Sequence, residues 1–290
     1  MSLWRITIMI TIKSGNTVVT IAKKGAEIKS IISGGKEYMW EANPDIWGQS
    51  APIMFPMCGG LKQGRYELFG ESYEMIKHGF AKISTFEVES ISENRATMLL
   101  RDNEQTRAMY PYSFEFRVTF ELSGNSLSVT YDAKNLDEKV MYCTFGAHEA
   151  YACPEGIEEY EVVFPECETL YASGLNGDIV TDYTKLIVDN SNRLVLRDID
   201  FFLDALVFRG LKSRTAELVS KNGSRRVKID FEGFDYFVLW HKYGAPYLCL
   251  EPWCGLPDVT GSTYDFREKV GMHALAPGEH FTRTHTITVG

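Results

Sequence analysis

A strand that ends on a carboxylate makes Tyr247–Asp258 the segment of this chain best suited to chemistry. Side chains alternate along a strand, so Cys249 and Glu251 share one face, and Pro252 is expected to end regular pairing just beyond them. Trp253 then offers a flat apolar surface with one hydrogen-bond donor, which suits the face of a sugar or of another flat ligand. Desolvation beside such a ring raises the pKa of a carboxyl group toward the range useful for proton transfer. The same residues also fit a structural glutamate at the rim of a core.

Three histidines stand at predicted turns or strand ends, from which side chains can reach a cleft. His78 lies at a turn that leads into an apolar strand, His148 lies just past an apolar strand, and His241 ends a third strand. Imidazole titrates near neutral pH and can give or take a proton. A lone histidine is more often structural, so both roles stay open for each of them. Less informative are the histidines of the C-terminal segment, which are His273, His280 and His285.

Asp204 interrupts the apolar run Phe201–Phe208. A carboxylate in such a stretch costs free energy unless it is hydrogen-bonded or faces a polar cleft. An aspartate that caps a helix or lies on its surface is the alternative. Trp240 and Trp253 are predicted to line an aromatic wall of the cleft. Carboxylates, histidines and aromatic rings together predict cofactor-free acid–base chemistry on a neutral polyol, whose ring stacks on the aromatic side chains.

Signatures of metal and nucleotide chemistry are absent from the sequence. It contains no P-loop, no glycine-rich dinucleotide fingerprint, no G-x-S-x-G elbow and no zinc-ligand spacing. The six cysteines form no C-x-x-C pair and are predicted to be reduced thiols. We therefore predict that the protein uses neither a metal nor a cofactor.

Composition limits the classes of partner. The chain has 290 residues and a formal net charge of −9, and no block of Lys or Arg stands out, which argues against nucleic acid and anionic membranes. We recognise no membrane-length apolar stretch and no cleavable leader, and we expect a cytoplasmic protein. A small-molecule sugar is the expected partner of a monomer or homodimer. Without internal repeats or linkers, residues 1–290 are predicted to form a single domain.

Alternation of apolar and polar residues runs through most of the chain. Its clearest case is Phe114–Leu122, which a Gly-Asn turn joins to Leu127–Tyr131 in a predicted antiparallel hairpin. A second hairpin is predicted for Ala216–Ser220 and Val227–Phe231. The best helix candidate, Leu196–Leu206, spans about three turns at most. We predict an all-β fold, a large antiparallel β-sandwich. Further predicted strands are Val18–Ala22, Ile28–Ile32, Phe86–Ile91, Thr97–Leu100, Val140–Phe145, Tyr160–Phe164, Phe237–Trp240, Tyr247–Glu251 and His280–Val289.

Several short motifs occur in an order that resembles a known family. They are Pro52–Met57, Lys77–Ala81, Phe145–His148, Phe202–Ala205, Val238–Trp240, Leu250–Trp253 with Gly255 and Pro257–Asp258, and Leu275–Gly278. Each motif alone is weak, but their order and spacing resemble the aldose 1-epimerase (galactose mutarotase) family, in particular its LacX-like branch. The resemblance extends from about Pro52 to Gly278.

This resemblance implies a galactose mutarotase-like supersandwich with a sugar-binding cleft on one sheet. Carried over by position, Glu251 resembles the general base and His148 the general acid of the family. His78 resembles the second histidine near the ring oxygen, and Asp204 the carboxylate that binds sugar hydroxyls. The implied activity is interconversion of the α and β anomers of an unphosphorylated aldose, which one acid and one base achieve without a cofactor.

One position departs from the family pattern. Where the branch usually has Gly-Arg after the Phe-Pro segment, this chain has Gly59-Gly60, so we expect a wide gap near Gly60. Lys62 and Arg65 are candidates to replace the arginine. A non-catalytic sugar-binding protein remains an alternative because it needs the aromatic side chains and Asp204 only. A glycoside hydrolase with paired carboxylates is a further alternative.

Overall fold

The computed structural model describes residues 8–201 and 204–290, and strands dominate both ranges. In chain order they are β1 (Met9–Ser14), β2 (Thr17–Ala22), β3 (Ile28–Ser33), β4 (Lys36–Glu37), β5 (Arg65–Leu68), β6 (Glu71–Glu74), β7 (Glu87–Ile91), β8 (Arg95–Arg101), β9 (Phe114–Ser123), β10 (Ser126–Asn135), β11 (Met141–Cys143), β12 (Glu149–Ala152), β13 (Tyr160–Asn176), β14 (Ile179–Val195), β15 (Leu206–Arg209), β16 (Thr215–Ser220), β17 (Arg226–Asp230), β18 (Tyr236–Trp240), β19 (Tyr247–Trp253), β20 (His273–Leu275) and β21 (His280–Val289).

Helical segments are few and short in the described ranges. One α-helix, α1 (Glu104–Met109), begins at Asn103, whose side chain accepts from two backbone N–H groups of the first turn. No helix among the described residues is long and apolar enough to span a membrane. Short 3₁₀ segments lie at Lys62–Gly64, Ala81–Ile83, Ile157–Glu159, Asp198–Phe201 and Phe266–Glu268.

Thirteen of the strands form one antiparallel sheet. Twelve follow the order β12-β19-β18-β15-β13-β16-β17-β21-β10-β9-β8-β7, and β14 pairs with β13 beside this path. A second sheet has the order β1-β2-β3-β4, and two small sheets pair β11 with β20 and β5 with β6. Hairpins and long returns between distant strands are typical of a large antiparallel sandwich. The predicted fold class is confirmed, whereas a single domain of residues 1–290 stays a prediction.

Apolar side chains of the hairpin β9–β10 form the centre of the core. The five predicted inward side chains of β9, from Phe114 to Leu122, are fully buried, as their alternation indicates. Val129 pairs with Phe120 across the hairpin, and the second predicted hairpin, β16–β17, is also observed. Residues of the four-stranded sheet, among them Ile12 and Ile28, belong to the same hydrophobic cluster. The two sheets therefore bury their apolar faces together.

The helix predicted for Leu196–Leu206 is wrong. Asp198–Phe201 forms only a 3₁₀ turn, positions 202 and 203 lie outside the described residues, and β15 begins at Leu206. Leu206–Arg209 pairs with β18 and its first three residues are buried, so strand pairing outweighs the apparent helical spacing before them. The sequence also gave no indication of the long hairpin between β13 and β14, because much of β14 is polar and exposed.

Candidate active site

A cleft of about 290 Å³ opens on the face of the large sheet formed by β12, β19, β18 and β15. This is the size of a small-ligand site. All six predicted site residues line it: Glu251, His148, His78, Asp204, Trp240 and Trp253. Further lining residues include Trp47, Gln49, Gly59, Gly60, Lys77, Lys82, Leu175, Asp178 and Pro257.

Sheet register places His148 opposite Glu251. Glu149, the first residue of β12, pairs with Leu250 of β19, so His148, which immediately precedes β12, lies beside Glu251 in the continued antiparallel register. Alternation then directs the side chains of His148 and Glu251 to the same face. The expectation that Pro252 ends the pairing is wrong: β19 continues to Trp253, and Pro252 pairs with Phe237 of β18. Glu251 therefore lies within a rigid strand rather than at its end.

Glu251 is fully buried and makes one hydrogen bond. The indole Nε1–H of Trp253 donates to its Oε2 at 3.0 Å. Its other oxygen, Oε1, lies 3.3 Å from Nδ1 of His148, and neither of these two atoms has an aligned hydrogen-bond partner. Unsatisfied polar atoms in a buried site are rare and point to a ligand or a catalytic role. The distance is short enough for direct proton exchange after a small rotation.

Burial controls the protonation of the cleft. It raises the pKa of Glu251 well above its usual value, the Trp253 hydrogen bond opposes the rise, and the charges of Glu149 and Asp204 add to it. Burial, together with the charges of Lys82 and Lys77, lowers the pKa of His148 to about 3. Burial therefore favours the uncharged forms of the pair, a protonated carboxyl group on Glu251 and a neutral imidazole on His148.

His78 is held by Gly59, with its ring 5.3 Å from that of His148. The ring Nδ1 of His78 accepts from the Gly59 backbone N–H at 3.0 Å, and the backbone N–H of His78 donates to the Gly59 carbonyl at 2.6 Å. Burial, and then the charge of His148, holds the pKa of His78 well below its usual range. The neutral ring with Nδ1 as acceptor carries its proton on Nε2. His78 also has a φ of 68°, and strained backbone of this kind is often found at functional sites.

Aromatic rings form a wall around His148. The ring of Trp47 lies 5.3 Å from the His148 imidazole and 5.1 Å from the ring of Trp240. Trp253 lines the cleft but is only 4% exposed, and its donor serves Glu251 rather than solvent. Trp47, which sequence reasoning missed, therefore contributes more open ring surface than Trp253. The sequence signal that could have identified Trp47 is its position between Pro44 and Gly48, in a predicted loop just before the Pro52–Met57 motif.

Asp204 lies immediately before β15 and faces the same cleft. Its φ of 80° is in the left-handed region, where aspartate and asparagine are tolerated better than most residues. Its N–H donates to the Phe201 carbonyl at 3.0 Å. The side chain is half-buried, so the carboxylate can accept hydrogen bonds from a ligand without the full cost of desolvation.

The wide gap expected near Gly60 is not present. A Cβ at Gly60 would collide with the side chain of Asp178, which lies at the tip of the β13–β14 hairpin. Asp178 pairs with Lys77 at 3.0 Å, and both residues line the cleft. An arginine at Gly60 would have to displace the Asp178 side chain, so the local packing favours glycine at this position.

Neither proposed substitute for the arginine is among the residues that line the cleft. Lys62 and Arg65 both extend over the ring of Tyr264, at 5.2 and 4.4 Å from its centroid. The positive charges of the cleft come instead from Lys77 and Lys82, which sequence reasoning missed. They come from the turn that carries His78 and the short 3₁₀ segment after it.

A buried ion pair supports this wall of the cleft. Asp258 and Lys269 are 2.6 Å apart, and Asp258 also accepts from the Lys62 N–H at 2.8 Å. The Asp258 backbone bonds to Gly60 on one side and to Val180 of β14 on the other. This arrangement fixes the glycine pair and the hairpin tip relative to each other.

The other histidines are absent from the residues lining the cleft. His241 pairs with Asp198 at 2.8 Å, and His285 pairs with Glu149 at 3.0 Å on the core side of the sheet. His280 pairs with Asp132, and the ring of His273 stacks on Phe281.

The described geometry agrees with comparisons to known proteins. The family model of aldose 1-epimerase matches residues 9–288, so the chain belongs to the aldose 1-epimerase family. Within the family it is similar to the plasmid-encoded protein LacX of Lactococcus lactis subsp. lactis, with 30% identity over 96% of this chain and 99% of LacX.

Solved structures extend the similarity to the whole fold. A galactose mutarotase related enzyme from Lactobacillus acidophilus has a TM-score of 0.93 and 32% identity, over 98% of this chain and 97% of that one. A galactose mutarotase-like protein from Lactobacillus casei has a TM-score of 0.91 and 27% identity, over 98% of this chain and 100% of the other. The sandwich is therefore galactose mutarotase-like.

Proposed function

We propose that the protein is an aldose 1-epimerase that interconverts the α and β anomers of an aldose by acid–base catalysis. The observation that supports it most is the buried pair Glu251–His148, 3.3 Å apart in a cleft with a second histidine. One acid and one base beside a bound ring are what anomer interconversion needs. A sugar-binding protein without catalysis would gain nothing from this pair.

Glu251 and His148 together take one proton from the sugar and return one proton to it. In the proposed cycle Glu251 first passes its proton to His148, which gives a carboxylate and an imidazolium. The carboxylate removes the O1 proton while the imidazolium protonates the ring oxygen, and the C1–O5 bond opens to the free aldehyde. Both groups are then back in their starting protonation states. After rotation about C1–C2, the reverse steps close the ring on the other face.

His78 and Asp204 bind the sugar in this proposal. The Nε2–H of neutral His78 donates to the ring oxygen and stabilises the charge that changes there. Asp204 accepts hydrogen bonds from sugar hydroxyls, and the rings of Trp47 and Trp240 contact the apolar face of the sugar. In this mechanism the side chains of Glu251 and His148 carry out every proton transfer.

Polarimetry tests the proposed function directly. Freshly dissolved α-glucose and α-galactose are expected to reach anomeric equilibrium faster with the protein than without it, and NMR of the anomeric protons should give the same rates. Unchanged relaxation with folded protein across a panel of hexoses and pentoses would contradict the proposal. A parallel assay with aryl glycosides separates it from glycoside hydrolysis, which should not occur.

Replacing Asp204 by asparagine is expected to raise KM more than it lowers kcat. Asparagine tolerates the same left-handed backbone but makes weaker hydrogen bonds to hydroxyls, since charged acceptors form the stronger ones. We expect an increase in KM of about tenfold, which corresponds to about 1.4 kcal/mol of uniform binding. Steady-state polarimetry measures both constants. An equal loss in kcat and in kcat/KM, with KM unchanged, would instead give Asp204 a role in the transition state.

Activity is expected to show no acid limb near the ordinary histidine pKa of about 6.5. The lowered pKa of His148, about 3, keeps its ring neutral as pH falls, and the raised pKa of Glu251 keeps its proton as pH rises. The one-proton form of the pair therefore persists as pH is lowered, and kcat/KM should not fall between about pH 7 and about pH 5. A limb at pH 6 to 7, after correction for spontaneous mutarotation, would refute this assignment.

A further inference from the structure

Cys249 places a buried thiol directly beside the proposed catalytic pair. It lies two residues before Glu251 on β19, so both side chains point to the same face of the strand. The Cys249 Sγ, a ring nitrogen of His148 and a carboxylate oxygen of Glu251 all lie within 4.8 Å of one another. The three side chains are buried, with exposures of 0%, 8% and 0% respectively.

The proposed reaction uses His148 and Glu251 but has no role for the Cys249 thiol, which completes a set of three metal ligands. Thiolate, imidazole and carboxylate are the three side-chain groups that bind Zn²⁺, and three protein ligands with one open position are typical of an accessible zinc site. His148 Nδ1 and Glu251 Oε1 have no hydrogen-bond partner, so a cation between them displaces no existing protein contact. The cleft leaves the fourth position open for a water molecule.

We propose that Cys249, His148 and Glu251 bind a thiophilic divalent cation such as Zn²⁺, and that the bound ion inhibits the enzyme. Binding replaces the thiol proton and the carboxyl proton, which both pass to solvent, and leaves imidazole coordinated through its free nitrogen. No oxidation or reduction takes place. The ion then occupies the acid and the base, so it competes with the sugar. The inhibitory part rests on the proposed function, whereas binding itself does not.

Binding is tested with Zn²⁺ and a competing chromophoric chelator, on protein freed of metal by EDTA and desalting. We expect one Zn²⁺ per chain, with affinity at least about tenfold weaker in Cys249→Ser, since even outer partners of a metal site contribute tenfold or more. Cd²⁺ should give a thiolate charge-transfer band in the wild type that Cys249→Ser lacks. The matched control is Cys167→Ser, which removes the exposed cysteine and should leave both readings unchanged.

Inhibition is tested by polarimetry with the same proteins. Zn²⁺ should raise the apparent KM of the wild type and of Cys167→Ser, and the effect on Cys249→Ser should be at least about tenfold weaker. Mg²⁺, which prefers oxygen ligands, should have no effect at the same concentration. EDTA should restore the rate.

Equal zinc affinity in the wild type and in Cys249→Ser would overturn the proposal, as would loss of binding in Cys167→Ser. Cys249→Ala is the second variant if the serine protein does not fold, as judged by circular dichroism. If the protein has no mutarotase activity at all, the chelator titration and the Cd²⁺ band still decide whether the metal site exists.

Discussion

Replacing Glu251 by glutamine is expected to reduce kcat by about 10²- to 10⁴-fold, the usual contribution of a general base. The amide can still accept the hydrogen bond from the Trp253 indole, because its oxygen can occupy the position of Oε2. It cannot take the O1 proton or pass a proton to His148. We therefore expect the loss in kcat, with sugar affinity changed little.

Two measurements separate this loss from misfolding. Quenching of Trp47 and Trp240 fluorescence by the sugar, or isothermal titration, should give a dissociation constant close to that of the wild type. Glu168→Gln is the matched control because Glu168 is another buried glutamate, which accepts from the Ser213 backbone N–H at a site that does not line the cleft. It should retain kcat. Near-normal turnover of Glu251→Gln would show that another group is the base.

Replacing His148 by alanine should cost about as much as the Glu251 change, and the double variant should be little worse than either single variant. Two groups that pass one proton between them act as a unit, so losing either stops the cycle and losing both removes nothing further. We expect each single variant to lose about 10²- to 10⁴-fold in kcat. Initial rates of anomer relaxation at saturating sugar give the three values.

His241→Ala is the control for loss of a buried imidazole. His241 directly follows β18, which ends at Trp240, but it pairs with Asp198 away from the cleft, so its loss should lower stability and leave kcat nearly unchanged. Thermal unfolding followed by circular dichroism measures the loss of stability. If the losses in the double variant multiply, Glu251 and His148 act independently and the shared-proton cycle is wrong.

Strand content was predictable because alternation with a period of two depends only on neighbouring residues. The inward side chains of β9 are the clearest case, since every predicted one is fully buried. The prediction failed where polarity hides the pattern, as in exposed β14, and where a short apolar run fits two periods, as at Leu206–Arg209. The prediction that Pro252 ends strand pairing was wrong because a proline removes only one backbone donor. The pairing of β19 with β18 continues past it to Trp253.

The sequence by itself determined the family and the β architecture, because these depend on residue types in order along the chain, and it predicted six residues that the fold brings to one cleft. Tertiary structure decided the rest. Asp178, from a distant hairpin tip, fills the space at Gly60, and Lys77 and Lys82 supply the positive charge. Burial places the shared proton on Glu251 rather than on His148. Long-range contacts determine how the cleft is filled and charged, and desolvation determines which of the two catalytic groups keeps the proton. Each effect depends on distances between residues that only the folded chain brings together.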